Sequence, residues 1–176
     1  MGFTHYFKRP ATLPKKEWKQ FVEEIEMLKS NLPEHGITAG CFFKDEHIEI
    51  AGWNGKEYDD PEAPIYDRSE ESIAFNGIGD FGHESFVLER VVKPEKNSRY
   101  KKGELIFSFC KTARKPYDTF VCLVLISFKR WFMGKVRVSS DGNEEDWAPA
   151  LELYHELTKA HIPTYSILMY DPDEKD

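Results

Sequence analysis

A chain of 176 residues that is 40% hydrophobic, 14% aromatic and 31% charged has the composition of one ordered globule, long enough to bury a core without metal or disulfide support. Its formal net charge of −7 excludes broad electrostatic capture of long nucleic acid, which needs a basic face, and leaves small anions as the class that a local cationic patch would hold. The longest apolar run, residues 120–126, is too short to cross a bilayer, and the three scattered cysteines, Cys41, Cys110 and Cys122, lack a CxxC pair and follow no secretory apolar segment. The expectation is a cytoplasmic protein with reduced thiols, in the host cytoplasm if the chain is phage-encoded.

In chain order, residues 2–8 read as a strand ending at Arg9-Pro10. Pro14 opens a helix in which Trp18, Phe21, Val22, Ile25, Leu28 and Leu32 recur at three- and four-residue steps until Pro33 and Gly36. Its other face, with Lys15, Lys16, Lys19, Glu23, Glu24 and Glu26, reads as solvated. Residues 37–43 alternate as a strand with 46–52 as its hairpin partner, and Trp53-Asn54-Gly55 turns the chain into an acidic, proline-containing loop at about 56–71. Further strands are predicted at 72–76, 84–92 and 104–110, with 93–102 as a polar turn. A helix over about 116–133 is apolar on most of its circumference and is therefore the central one. A strand at 135–140, a turn at Asp141-Gly142 and a helix from Asn143 complete the order, with 162–170 left open between a short strand and an irregular segment. The whole of 1–176 is then a single α+β domain, a mixed sheet with about three helices packed mainly on one face.

The most chemical segment is Phe107-Ser-Phe-Cys-Lys-Thr-Ala-Arg-Lys-Pro-Tyr-Asp118, a strand that runs into a cationic loop and then a proline-started helix. Lys111, Arg114 and Lys115 stand beside Thr112 where a helix leaves N–H groups unpaired, a place that suits phosphate or carboxylate. Cations at a helix N-terminus oppose its dipole, so a bound anion would relieve them; Asp118 in the first turn is a partial internal remedy.

Gly77-Ile-Gly-Asp-Phe-Gly82 matches GxGxxG, but a strand rather than a helix follows it, so it reads as a turn between strands. Asn76 before it suits either readout of a base edge or a cap on the turn. His5, beside Tyr6, and His83, beside Glu84, are the acid–base candidates. No HxxxH or HExxH spacing occurs, so no metal site is expected, and no motif specifies a cofactor.

These segments carry a resemblance. With Gly2-Phe-Thr-His-Tyr-Phe7, Ile73-Ala-Phe-Asn-Gly77, His83-Glu-Ser-Phe86, Phe109-Cys-Lys-Thr-Ala-Arg-Lys-Pro-Tyr-Asp118 and Val138-Ser-Ser-Asp-Gly142, the chain resembles a family of uncharacterised phage and prokaryotic proteins over nearly its whole length. In that family a GYTHYW-like start replaces Phe3 and Phe7 by Tyr and Trp, and Thr stands at Ser85. The resemblance implies provenance and no activity.

The functional expectation is a module for a small phosphorylated ligand, a nucleotide, sequestered by a phage protein as an anti-defence measure. Lys111, Thr112, Arg114 and Lys115 would hold phosphate, with Tyr6, Phe75 or Tyr117 stacking on the base and Asn76, His83 and Glu84 giving polar contacts. Two rivals remain open: a phosphodiesterase or nuclease using His5 and His83, and an acidic inhibitor of a nucleic-acid-binding host protein. A homo-oligomer is compatible with either class; a membrane partner is not expected.

Overall fold

The computed structural model describes residues 2–38, 40–41, 43–95, 99–162 and 167. They form one α+β domain of three helices and two antiparallel sheets. In the first sheet β1 (Thr4–Arg9) lies between β6 (Ile106–Lys111) and β7 (Arg137–Ser140). In the second, β4 (Ser72–Gly77) is flanked on one side by β2 (Ile50–Gly52) and β3 (Tyr66–Asp67) and on the other by β5 (Phe86–Glu89). The α+β class and the three helices agree with the sequence; the single mixed sheet does not, because every named pairing is antiparallel. Alternation along a strand fixes which face is buried but not which strand lies beside it.

Helix α2 (Asp118–Trp131) is the centre of the molecule, with every residue from Asp118 to Phe128 buried. Phe120 packs on Phe75 of β4 and Phe128 on Phe7 of β1, while Phe7 meets Phe86 of β5, so one aromatic cluster joins both sheets to the helix. Helices α1 (Lys15–Ser30) and α3 (Glu144–Thr158) pack on α2. Asn143 caps α3 with its side chain, accepting from the Glu145 and Asp146 amides, while Asp146 reaches back to the Asn143 amide.

The predicted strand over 37–43, two of whose residues lie outside the described ones, is absent from the described residues. Gly40 takes a left-handed φ of +70°, the Cys41 amide closes a turn on Thr38, and the Ile37 amide bonds Thr119 Oγ1. The segment therefore wraps the start of α2, and β2 pairs with β4 instead. The acidic loop is less open than expected, since Ala63 and Ile65 are buried and Tyr66–Asp67 pairs with β4. Most of the predicted tail segment 162–170, and residues 96–98 of the polar turn, lie outside the described residues.

Between β4 and β5 the chain makes a 3₁₀ turn, Gly79–Phe81. A Cβ on Gly77 would stand 2.5 Å from the Phe81 carbonyl, and one on Gly82 2.5 Å from the Gly77 carbonyl. The glycines serve close backbone approach in a turn, as their sequence context implied.

Candidate functional site

At the junction of β1, β6 and α2 lies a closed polar network. His5 Nε2 donates to Asp118 Oδ1 at 2.7 Å, and the Thr112 hydroxyl donates to the same oxygen at 2.5 Å. Ser140 Oγ stands 3.0 Å from His5 Nδ1, and the Cys122 thiol lies 3.8 Å from His5 Nε2 and 3.9 Å from Asp118 Oδ2. His5, Asp118 and Thr112 are almost completely enclosed. Burial pushes the Asp118 carboxyl up, but the His5 charge and the hydrogen bonds from His5 and Thr112 outweigh it and hold the group below its usual value.

His5, Asp118 and Cys122 gather three atoms of metal-ligand type within 4.8 Å. Here the imidazole and carboxylate are bonded directly to each other, and a closed structural zinc site takes four ligands. The sequence Ser140–His5–Asp118 also repeats the connectivity of a nucleophile relay, yet Ser140 Oγ already accepts the Gly142 amide and His5 is shut off from solvent. Both features describe a structural network that ties β1 and β7 to the start of α2.

The expected phosphate cradle is not assembled around this network. Asp118, the acid beside the basic loop, is engaged by His5 and Thr112 and not by the loop's cations. The amides of Asp118, Thr119 and Phe120 bond the carbonyls of Lys115, Pro116 and Tyr117, so none is presented to a ligand. Ala113 and Arg114 both adopt left-handed backbone, φ 51° and 55°, and the turn throws the cations apart. Lys111 Nζ lies 3.8 Å from Glu84, Arg114 bonds Asp146 at 2.8 Å and covers the Phe3 ring, and Lys115 donates to the Asp80 carbonyl at 2.6 Å above the Phe43 ring. They do not converge on one point.

The remaining expected site residues divide by burial. Phe75 and Tyr117 are core side chains, the Tyr117 hydroxyl donating to the Glu84 carbonyl at 2.7 Å. Asn76 uses both ends of its amide on the glycine turn: Oδ1 accepts from the Gly77 and His83 amides, and Nδ2 donates to His83 and Ser85. Of its two sequence-level roles, the cap is the one its contacts fill. Glu84 latches onto β6, its carboxylate accepting the Lys111 amide at 2.9 Å and its own amide donating to the Lys111 carbonyl. His83 sits outside this latch, with Nδ1 3.0 Å from the Lys111 carbonyl. His83 is exposed while His5 is enclosed, so the two imidazoles are not offered to one substrate.

Only Tyr6 and Lys111 of the expected set lie on the outer face of the first sheet, and there they join residues that the sequence did not single out as ligand-binding. The register sets out a grid across three strands: Lys111, Thr4, Asp141; then Phe109, Tyr6, Ser139; then Phe107, Lys8, Arg137. Phe107 and Phe109 are 53% and 49% exposed, large values for phenylalanine. The Tyr6 ring stacks with Phe107 at 6.1 Å, and the Phe109 ring lies tilted against Phe107 at 6.1 Å, so the three form a continuous aromatic surface. Lys111 Nζ lies 5.7 Å from the Phe109 ring centre, and Asp141 is held by the Tyr6 hydroxyl and the Thr4 amide. The strand alternation of Phe107, Phe109 and Lys111 was the available signal; that it faces solvent beside Tyr6 and Lys8 depends on pairing with β1.

Two recesses lie elsewhere. One of about 280 Å³ is bounded by Trp53, Tyr66 and Arg68, and one of about 440 Å³ by Glu34, His47 and Ile50; no expected site residue lines either. The cysteines are equally remote from reactivity. Burial raises all three thiols, Cys110 up to about 12 and Cys122 well above its ordinary value. At neutral pH a thiol reagent is expected to leave the native protein unlabelled and to modify three cysteines once denaturant is added; rapid native labelling of Cys110 or Cys122 would contradict their enclosure.

Among known proteins, the chain matches no family model, no curated protein and no solved structure at a significant level.

Proposed function

We propose that the protein binds a nucleotide on the open face of the first sheet, with the base against Tyr6, Phe107 and Phe109 and the phosphates toward Lys8, Lys111 and Arg137. The observation that carries this is the exposed aromatic surface set directly beside cationic side chains on one rigid sheet. Stacking serves any base, cations serve phosphate, and a nucleotide is the common small ligand that needs both. A sheet holds these groups at fixed spacing, so little ordering is needed on binding. The net charge of −7 disfavours a long polyanion and favours a free nucleotide or a short single strand.

Calorimetric titration with ATP, a cyclic dinucleotide and a short oligothymidylate separates these sources of the same chemistry. Binding should weaken with salt, and the Phe107→Ala/Phe109→Ala protein should lose affinity by about 1–3 kcal/mol per stacked base, roughly five- to 150-fold. Heat from none of the three ligands, or unchanged affinity in the double variant, rejects the proposal.

A further inference from the structure

The same strand that carries the two exposed phenylalanines also carries an open backbone edge. In β6 the Lys111 amide and carbonyl face away from β1, toward Glu84, whereas the Thr112 amide turns inward to the Phe3 carbonyl. Alternation then points the N–H and C=O groups of Phe109 and Phe107 outward as well. Among the described residues neither has a hydrogen-bond partner on that side. The strand has no proline, and its one charged residue is the terminal Lys111, so the stretch from Ile106 to Cys110 carries neither of these guards of an edge strand.

The edge is also self-complementary. Phe107 and Phe109 are placed symmetrically about Ser108, with Ile106 and Cys110 outside them. We propose that two copies of the chain pair antiparallel through β6, with the two-fold axis at Ser108. Phe107 then stands opposite the partner's Phe109, and Phe109 opposite the partner's Phe107, and each pair exchanges two backbone hydrogen bonds. The first sheet becomes six-stranded, and the outward rings of both copies form cross-strand aromatic pairs in one continuous surface. Pairing ends at Lys111, whose outward groups Glu84 already holds. The inference stands apart from nucleotide binding, since it concerns the backbone edge and is tested without ligand.

The test is sedimentation velocity on the full chain from micromolar to sub-millimolar concentration, with two variants. Phe109→Pro removes an outward N–H without touching the ladder to β1, a setting in which a strand accepts proline, and should be folded and monomeric. Ser108→Cys should form a disulfide-linked dimer on mild oxidation, because antiparallel residues on the axis have Cα atoms about 4.5 Å apart, within disulfide reach. The native thiols are buried, so they do not compete. A monomer at every concentration overturns the proposal and leaves the edge to an extended peptide. A dimer that persists in folded Phe109→Pro, or that Ser108→Cys fails to trap, overturns it in favour of another surface. Should Phe109→Pro not fold, trapping of Ser108→Cys decides.

Discussion

Replacing Asp118 by alanine is expected to destabilise the protein by about 3–5 kcal/mol, the order of cost when an enclosed carboxylate is removed and two buried donors are left without their acceptor. For a chain of this length that corresponds to a fall in Tm of roughly 6 to 20 °C. The carboxylate is the shared acceptor for His5 and Thr112 and the neighbour of Cys122. Without it an enclosed imidazole and an enclosed hydroxyl lose their partner, and neither has water to turn to. The first turn of α2 also loses its acidic residue. Thermal or urea unfolding of Asp118→Ala beside wild type measures the effect, and a loss below about 1 kcal/mol would show that the network contributes little.

The same carboxylate sets a pH dependence. Its folded pKa lies below the ordinary value of 3.8, so the unfolded chain takes up a proton at higher pH than the native one. Its contribution is therefore complete at neutral pH and is lost as pH falls through the folded pKa. Stability curves of wild type and Asp118→Asn should lie apart at pH 7 and draw together below about pH 4.

The sequence made legible those features that depend on neighbours along the chain. Helix α2 was visible because residues 120–126 are apolar on every side, and only a helix packed all round tolerates that. The glycine turn at 77–82 was visible because its glycines precede a strand. What stayed hidden depends on distant partners. Lys111, Arg114 and Lys115 are adjacent in sequence, but two left-handed residues send them to Glu84, Asp146 and Asp80. Asp118 looked like a minor remedy for their charge, yet it is paired with His5 from the other end of the chain. The open face hid for the same reason: Tyr6, Phe109 and Ser139 become neighbours only through strand order β6-β1-β7.

Glu24 is the sharpest case, and Glu24→Ala should cost about 2–5 kcal/mol where Glu23→Ala costs about 0.5 or less. Helical periodicity assigns both to the solvated side of α1, but Glu24 is only 10% exposed and Glu23 65%. Glu24 lies where all three helices meet. Its Oε1 accepts from Ser127 at 2.8 Å and from the Tyr154 hydroxyl, and its Oε2 from Arg130 at 2.6 Å and Trp131 at 3.1 Å. Ser127 and Tyr154 are fully buried, so alanine strands two donors out of reach of water, while the partly exposed Arg130 can recover solvation. Burial, and then the contact with Glu24, raise the Tyr154 pKa, so the phenol remains protonated and a donor across the physiological range. Urea unfolding of the two variants supplies the comparison. Equal midpoints would mean that the helices are held by their apolar contacts alone; a selective loss in Glu24→Ala would establish a single carboxylate as the polar pin of α1, α2 and α3.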